Sequence, residues 1–499
     1  MDFLDPKKER FNKIILLVSY ALVAIAIGLT SWMLLYQTDG YCLNRDGKVD
    51  RCGLVFVSSQ PTGANIYIDG KLQKVQTNTK INLRSGTYDF RLSRQGYNDW
   101  QRTIGVSGGD VQRFDYPFLF PTNMKTESLS TFPGTLGFAS QSPDRRWLVV
   151  ADSLQPTQLS VSDFRNADNP TIRKITLQTN VLTPAESTQR WEVVEWAEDN
   201  RHLLVKRFYT ASGAQAQEYV LVDRQDGTQL RNVTKELGIL PAETIQLFNK
   251  KQNQFYVYNN ETKSIRTVSF GGSSPTTLQL QRVLAYKAYG SDTILYATDT
   301  PLGTKAMPDK VSIVLQQGTR ISVLRQLPAA SAYVLDIAEY DGSWYVVVGS
   351  VSSRGVYVYQ NPLDAVLAQP NDLPSPIRFL KLTNPSHVAF SANTQFVLVA
   401  NGQNHAVYDL EYKNVYYYSS PKTLDAPQAH PVWMDGNRLV YVSGGRGYVY
   451  DYDNLNSHTL QPAVADYTLF FAPNFRAVYS LAPGEAGQTL LTKTSLVTE

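Results

Sequence analysis

The sequence predicts an all-β fold, a small β-sandwich followed by a β-propeller, preceded by one transmembrane helix. Three observations predict it. A 23-residue uncharged run lies near the N-terminus, a cluster of short alternating strands with glycine turns follows, and a repeat of hairpins fills residues 131–499. The implied organisation is 1–13 basic and cytoplasmic, 14–36 membrane-spanning, 37–52 a linker, 53–120 the small β domain, 121–130 a second linker and 131–499 the propeller.

The run IILLVSYALVAIAIGLTSWMLLY (14–36) exceeds the roughly 20 residues a helix needs to cross the hydrocarbon core. Lys7, Lys8, Arg10 and Lys13 precede it, so the positive-inside rule keeps the N-terminus cytoplasmic, with Trp32 and Tyr36 at the height of an outer aromatic belt. Ala24-Ile25-Ala26 imitates a signal-peptidase site but lies inside the apolar run, which is also too long for a signal-peptide core. An uncleaved signal anchor is therefore the expectation, with the remaining domains outside the cell membrane.

Composition narrows what those domains do. A 43% hydrophobic content across 499 residues supports a large core, and 47 basic against 44 acidic residues leave no field that would draw nucleic acid. Cys42 and Cys52 are the two cysteines, close enough to close a small disulfide loop in an oxidising compartment. Within that loop NRDGKVD (44–50) imitates half of a calcium loop. Its first ligand position falls on Cys42 and its twelfth on Gly53, so an Asp-Gly turn is the better reading.

In PTGANIYIDG (61–70) a β-prone run, Ile66 to Ile68, meets Asp69-Gly70, residues that accept the positive φ of a two-residue hairpin turn. Leu72 to Val75 returns antiparallel. The segment INLRSGTYDFRLSRQGYNDWQRTIGV then alternates apolar and polar residues, with Tyr88, Phe90 and Leu92 sharing one face. VQRFDYPF adds a last strand, and Pro117 and Pro121 end the unit. Pro61, Gly63, Ala64, Ile66, Ile68, Asp69 and Gly70, followed by Gly86, Tyr88, Leu92, Gly96, Tyr97 and Trp100, resemble a PEGA domain, with Thr62 where the naming tetrapeptide has glutamate. The resemblance implies a small β-sandwich found among extracellular modules of bacterial surface proteins, without a catalytic role.

Eight hairpin units follow: QSPDRRWLVV, WAEDNRHLLV, FNKKQNQFYV, YGSDTILYAT, YDGSWYVVVG, FSANTQFVLV, WMDGNRLVYV and FAPNFRAVYS, starting at 141, 196, 248, 289, 340, 390, 433 and 471. Seven open with an aromatic, and Asp144, Asp199, Asp292, Asn393 or Asn474 stands three residues later in five, residue types that bond their own backbone in turns. The period from Trp196 to Phe471 averages about 46 residues, the spacing of four-stranded blades. The units are similar to TolB-like or WD-type propeller repeats. Eight blades are favoured, seven if the first and last units share a sheet. Trp196, Phe390, Trp433 and Phe471 read as inter-blade packing.

Catalytic signatures are weak. His202, His387, His405, His430 and His458 show no metal-site spacing, GGSSP (271–275) lacks the pattern of a nucleophile elbow, and SGGRGYVY (443–450) reads as a tight turn. Asp144, Asp199, Asp292 and Asp435 recur in the turn register, where conformation accounts for them, and Glu192, Glu195 and Glu198 fit a solvated face. No catalytic, metal or cofactor-binding residue is therefore assigned. The expectation is a non-enzymatic, single-pass cell-surface protein whose propeller binds a protein or cell-envelope polymer, with the PEGA-like domain as spacer or envelope-contact module. A hydrolase or lyase with its site in the propeller funnel is the alternative.

Overall fold

A computed structural model describes the chain except for residues 1–5, 39–40, 44–48, 187–188, 273–278, 303–306, 308, 369–371, 426–429 and 499. The calcium-loop imitation and most of the GGSSP segment thus lie outside the described residues. The chain divides into two compact units, Met1–Asn123 and Met124–Glu499.

The first unit opens with the helix Pro6–Thr38, of which Ile14–Leu34 is long and apolar enough to cross a membrane and has its side chains exposed. Among the described residues eight strands follow in two four-stranded sheets. Tyr41–Leu43, Val49–Val57 and Thr79–Arg84 form one with Val111–Phe114, which runs parallel to Val49–Val57. Lys71–Gln76, Asn65–Ile68, Gly86–Ser93 and Trp100–Val106 form the other. The alternation read from the sequence sends Ile66, Ile68, Phe90 and Leu92 inward, against Val55, Val57 and Trp100. Tyr88 is half-buried beside them. Asp69 (φ 49°) and Gly70 (φ 75°) make the expected two-residue turn. Gly53 has a different reason: a Cβ there would sit 2.5 Å from a Val106 methyl and 2.7 Å from the Ser107 carbonyl oxygen.

One boundary needs correction. Residues 41–43 and 49–52, expected as linker, are strand residues of the first sheet, because Tyr41–Leu43 pairs antiparallel with residues 49–51. Cys52 is buried and disulfide-bonded. The side chain of Cys42, the chain's other cysteine, lies outside the described residues.

The second unit holds eight antiparallel four-stranded sheets among the described residues. Blades 1 to 7 occupy 136–176, 190–232, 243–280, 283–328, 333–381, 387–419 and 432–462. Blade 8 takes its three inner strands from 470–495 and its outer strand from Thr126–Phe132, which pairs with Thr489–Ser495 through Thr489 opposite Phe132 and Thr494 opposite Thr126. This corrects the second linker: residues 126–130 belong to the propeller. It also decides the blade number. The first and last hairpin units lie in separate sheets, and a strand ahead of the first unit completes the last.

Each blade buries its faces against its neighbours, since a lone four-stranded sheet exposes two apolar surfaces. Trp191, Val149, Val161 and Val205 fill the first interface, Leu204, Leu221 and Phe255 the second, Tyr256 and Ile294 the third. Ile313 and Val346 join blades 4 and 5, and Val358 and Val397 join 5 and 6. Phe396 stacks on Tyr452 between blades 6 and 7, with ring centroids 4.1 Å apart. Ser480 Oγ donates to the Pro462 carbonyl at 2.7 Å between 7 and 8. Phe164 of blade 1 lies flat on Tyr479 of blade 8 at 3.7 Å and closes the ring.

Closure carries a prediction. Phe164, fully buried, should cost about 3–5 kcal/mol when replaced by alanine, read from chemical denaturation. A chain beginning at Pro133 lacks the outer strand of blade 8 and exposes the edge of Thr489–Ser495, so it should aggregate in size-exclusion chromatography. Monodisperse behaviour of that truncated chain would show that the ring does not need its N-terminal strand.

Candidate functional site

The turns between the first and second strands of the blades cluster at one mouth of the ring. The sequence-nominated carboxylates shape these turns. Asp199 Oδ1 accepts from the backbone of Arg201 and His202 at 2.8 and 3.0 Å, Asp435 Oδ1 from Asn437 and Arg438 at 2.7 and 2.8 Å, and Asp144 Oδ1 from Arg146 at 3.1 Å. Asn393 and Asn474 do the same for Gln395 and Arg476. The next residue is left-handed at Arg145, Asn200, Thr394 and Phe475, the conformation that a side chain bonded to its own turn supports. Asp292 departs from the pattern: its carboxylate accepts from the Thr293 hydroxyl, and Gly290 carries the positive φ.

Neighbouring turns are tied together. Asp144 N donates to Asn200 Oδ1 between blades 1 and 2, Glu198 N to the Lys250 carbonyl between 2 and 3, and the Thr394 hydroxyl to the Glu339 carbonyl between 5 and 6. Arg145 passes over the Phe475 ring of blade 8 and donates to the Met434 carbonyl of blade 7 at 2.7 Å. The repeat aromatics pack between blades: Trp196 Nε1 donates to Ser140 Oγ in blade 1 and Trp433 Nε1 to the Ala389 carbonyl in blade 6. Trp196 and Phe471 are buried, Phe390 and Trp433 half-buried.

Two groupings escaped sequence reasoning. On the innermost strands of blades 4 to 6, Lys287 pairs with Asp336 at 3.1 Å, and Asp336 also accepts from Phe390 N at 3.2 Å. Beside them the rings of His387 and His430 stack with centroids 3.4 Å apart. A signal existed: each histidine stands three residues before its repeat aromatic, Phe390 and Trp433, so the repeat register brings them together on adjacent blades. Burial, then His430 and Lys287, push His387 down to about 4. Burial pushes His405 to about 4 despite its hydrogen bond to the Gly402 carbonyl.

The second grouping is a polar cleft of about 360 Å³ between blades 2 and 3, bounded by Arg201, His202, Asp223, Asp226 and Asn253. His202 Nδ1 lies 2.6 Å from Asp199 and its Nε2 3.8 Å from Asp223, and Arg201 Nε donates to Asp223 at 2.8 Å. An adjoining hollow of about 280 Å³ is lined by Glu198, Asp199, Lys250 and Lys251. Backbone and His202 bonds hold Asp199 below the usual carboxylate range against its burial, and Arg201 does so for Asp223.

Carboxylates elsewhere are also engaged. Glu195 meets Lys250, Glu243 meets Arg266 at 2.9 Å, and Glu218 meets Arg207 and Asn232. Glu192 pairs with Arg190 on the surface, as a solvated face would. Asp409 is pushed up by burial, yet it accepts from Glu411 N and Tyr412 N and so holds a turn. Among the described residues no three His, Cys, Asp or Glu side chains are placed to hold a metal.

The buried histidines set a pH dependence. A histidine depressed from 6.5 to about 4 contributes stability that is full above 6.5 and is lost as pH falls through that window. The depressed Asp199 and Asp223 add their loss only below about 3.8. The denaturation midpoint should therefore fall between pH 6.5 and 4, and His405→Gln should flatten the slope. A slope unchanged by that substitution would place the titration elsewhere.

The propeller rests on its own sheet topology, and its likeness to solved structures is distant. It is similar to a dihydro-haem d1 dehydrogenase, NirN, at 13% identity and a TM-score of 0.39, spanning 66% of each chain. It is also similar to an oligogalacturonate lyase solved with manganese, at 11% identity and 0.37, covering 75% of this chain and 98% of that one. Kluyveromyces lactis Hsv2 aligns at 10% identity and 0.33, covering 72% of this chain and 98% of that one. Among curated proteins none matches the sequence. Residues 52–119 match the PEGA domain family, so the small sandwich ahead of the propeller is a PEGA domain.

Proposed function

We propose that the chain is a membrane-anchored bacterial cell-surface protein whose propeller binds a protein or cell-envelope polymer, with the PEGA domain as spacer or envelope-contact module. The observation that carries this reading is how the carboxylates are used. Those in the turn register, Asp144, Asp199 and Asp435, close their own turns, and the half-buried Glu195 and the buried Glu243 and Asp336 each face a cation. A glycosidase needs two carboxyl groups with separated proton affinities facing a common substrate. The propeller instead offers a mouth of interlocked turns and a polar cleft, features suited to recognition.

One feature favours a surface hydrolase or lyase, the histidine bracketed by Asp199 and Asp223 in the blade 2–3 cleft. The double substitution Asp144→Asn, Asp199→Asn addresses both readings, because asparagine keeps the turn acceptors and removes the charge next to His202. Binding predicts a stability change within about 1 kcal/mol and unchanged capture of isolated envelope polymer. Loss of polysaccharide or peptide turnover in the folded variant would establish an enzyme.

The anchor makes a separate prediction. With Lys7, Lys8, Arg10 and Lys13 retained on the cytoplasmic side, protease added to cells stripped of any outer barrier should digest the chain beyond Gln37. Protection of the propeller would reverse the orientation.

A further inference from the structure

The junction between blades 1 and 2 gathers more positive charge than its carboxylates neutralise. Trp147 begins the second strand of blade 1, and three guanidinium groups collect on its indole: Arg224 of blade 2 at 3.5 Å from the ring centroid, Arg165 at 5.5 Å and Arg146 at 5.6 Å. Arg173 joins them by donating to the Arg224 carbonyl at 2.9 Å. Arg165 is paired with Asp163. Among the described residues Arg146, Arg173 and Arg224 have no carboxylate within ion-pair distance.

Arg224 is the least expected of the four. It is 4% exposed, its Nε donates to the Asn200 carbonyl at 2.6 Å, and its Nη1 is buried without a hydrogen-bond partner, as is Nε of Arg146. An orphaned donor on a buried charged group costs more than the 1–3 kcal/mol of a neutral one. Burial, and next the charge of Arg173, lower Arg224 to about 10, against weaker opposing pulls from Asp144, Asp223 and Asp163, so it stays protonated near neutrality. The orphaned Arg224 Nη1 and Arg146 Nε lie out of solvent reach, whereas Arg173 is exposed and Arg146 partly so, and an anion meeting those two would offset the charge held behind them.

We propose that Arg146, Arg173 and Arg224 form a phosphate-binding site at the junction of blades 1 and 2. A single carboxylate is satisfied by one bidentate arginine, whereas three unpaired guanidinium groups match a tetrahedral oxyanion of higher charge. The shared chemistry is a phosphate group, supplied either by a small phosphate monoester or by the phosphodiester backbone of an envelope polymer. The site does not depend on whether the propeller is catalytic.

The test uses the full chain in detergent, titrated calorimetrically with inorganic phosphate and with a short poly(glycerol phosphate), against chloride at matched ionic strength. Binding of either phosphate probe is expected, with Arg173→Gln and Arg146→Gln each weakening it roughly ten- to a hundredfold, the loss of a charge-assisted hydrogen bond. Both variants are at partly solvent-exposed positions, so they keep the site testable if Arg224→Gln fails to fold. Tighter binding of inorganic phosphate identifies a small ligand and tighter binding of the oligomer a polymer, and both support the site. No heat beyond the chloride control, or variants that bind as well as the parent, would overturn it. The Asp144→Asn, Asp199→Asn variant keeps all three arginines and loses a negative charge that acts on Arg224, so it should bind phosphate at least as tightly as the parent, which separates this outcome from that of the binding reading.

Discussion

Ring closure by the strand Thr126–Phe132 is the constraint on which the propeller depends. An eight-bladed ring has no free sheet edge at its seam only if the last blade is completed, and here the completing strand lies about 360 residues from its partner in sequence. The pairing is reinforced at both ends, by the Thr126 and Thr494 hydroxyls at 2.7 Å and by the Thr489 hydroxyl on the Gly134 carbonyl at 2.8 Å. The Phe164–Tyr479 stack then seals the apolar faces of blades 8 and 1. Every other interface is built by neighbours in sequence, so this seam is where closure entropy is concentrated.

Closure also explains why the turns at one mouth are so constrained. Blades radiating from one axis bring their first hairpin turns close together, and backbone groups there need partners that a sheet no longer supplies. In five of the eight units a side-chain acceptor closes the turn, and in four of those a left-handed residue follows it. That geometry frees neighbouring groups to bridge blades, as Asp144 N does to Asn200 and Glu198 N to Lys250. The carboxylates that attract a catalytic reading are the ones this geometry occupies.

What was legible in the sequence follows from the range of each interaction. The Asp69-Gly70 hairpin, the inward face of Phe90 and Leu92, the turn role of Asp144 and Asp199 and the repeat period are local or periodic, and they could be read directly. The strand TESLSTF could not: as an outer strand it is mostly polar and exposed, and its reason for being a strand is a partner at the far end of the chain. Residues 41–43 differ in kind: their partner, residues 49–51, is close in sequence, but a three-residue strand gives too short a run for alternation to mark it. The stacked His387 and His430 were hidden although they share a register position, because spacing of about one blade is not a helical metal-site spacing. The arginines around Trp147 come from two blades, and nothing in their sequence positions marks them as one group.

Blade 2 has a particular position among these features. Its first turn holds Asn200, which accepts from Asp144 of blade 1 through its side chain and from Arg224 through its carbonyl, so it ties the arginine cluster to the turn of blade 1. Two residues on, His202 faces the cleft toward blade 3, oriented by Asp199 of the same turn. Arg201, between them, neutralises Asp223, and with that charge answered the carboxylate is not free to pair with Arg224 on the other side. The polar, charge-balanced lining of the blade 2–3 cleft and the uncompensated positive charge between blades 1 and 2 are therefore two consequences of one turn.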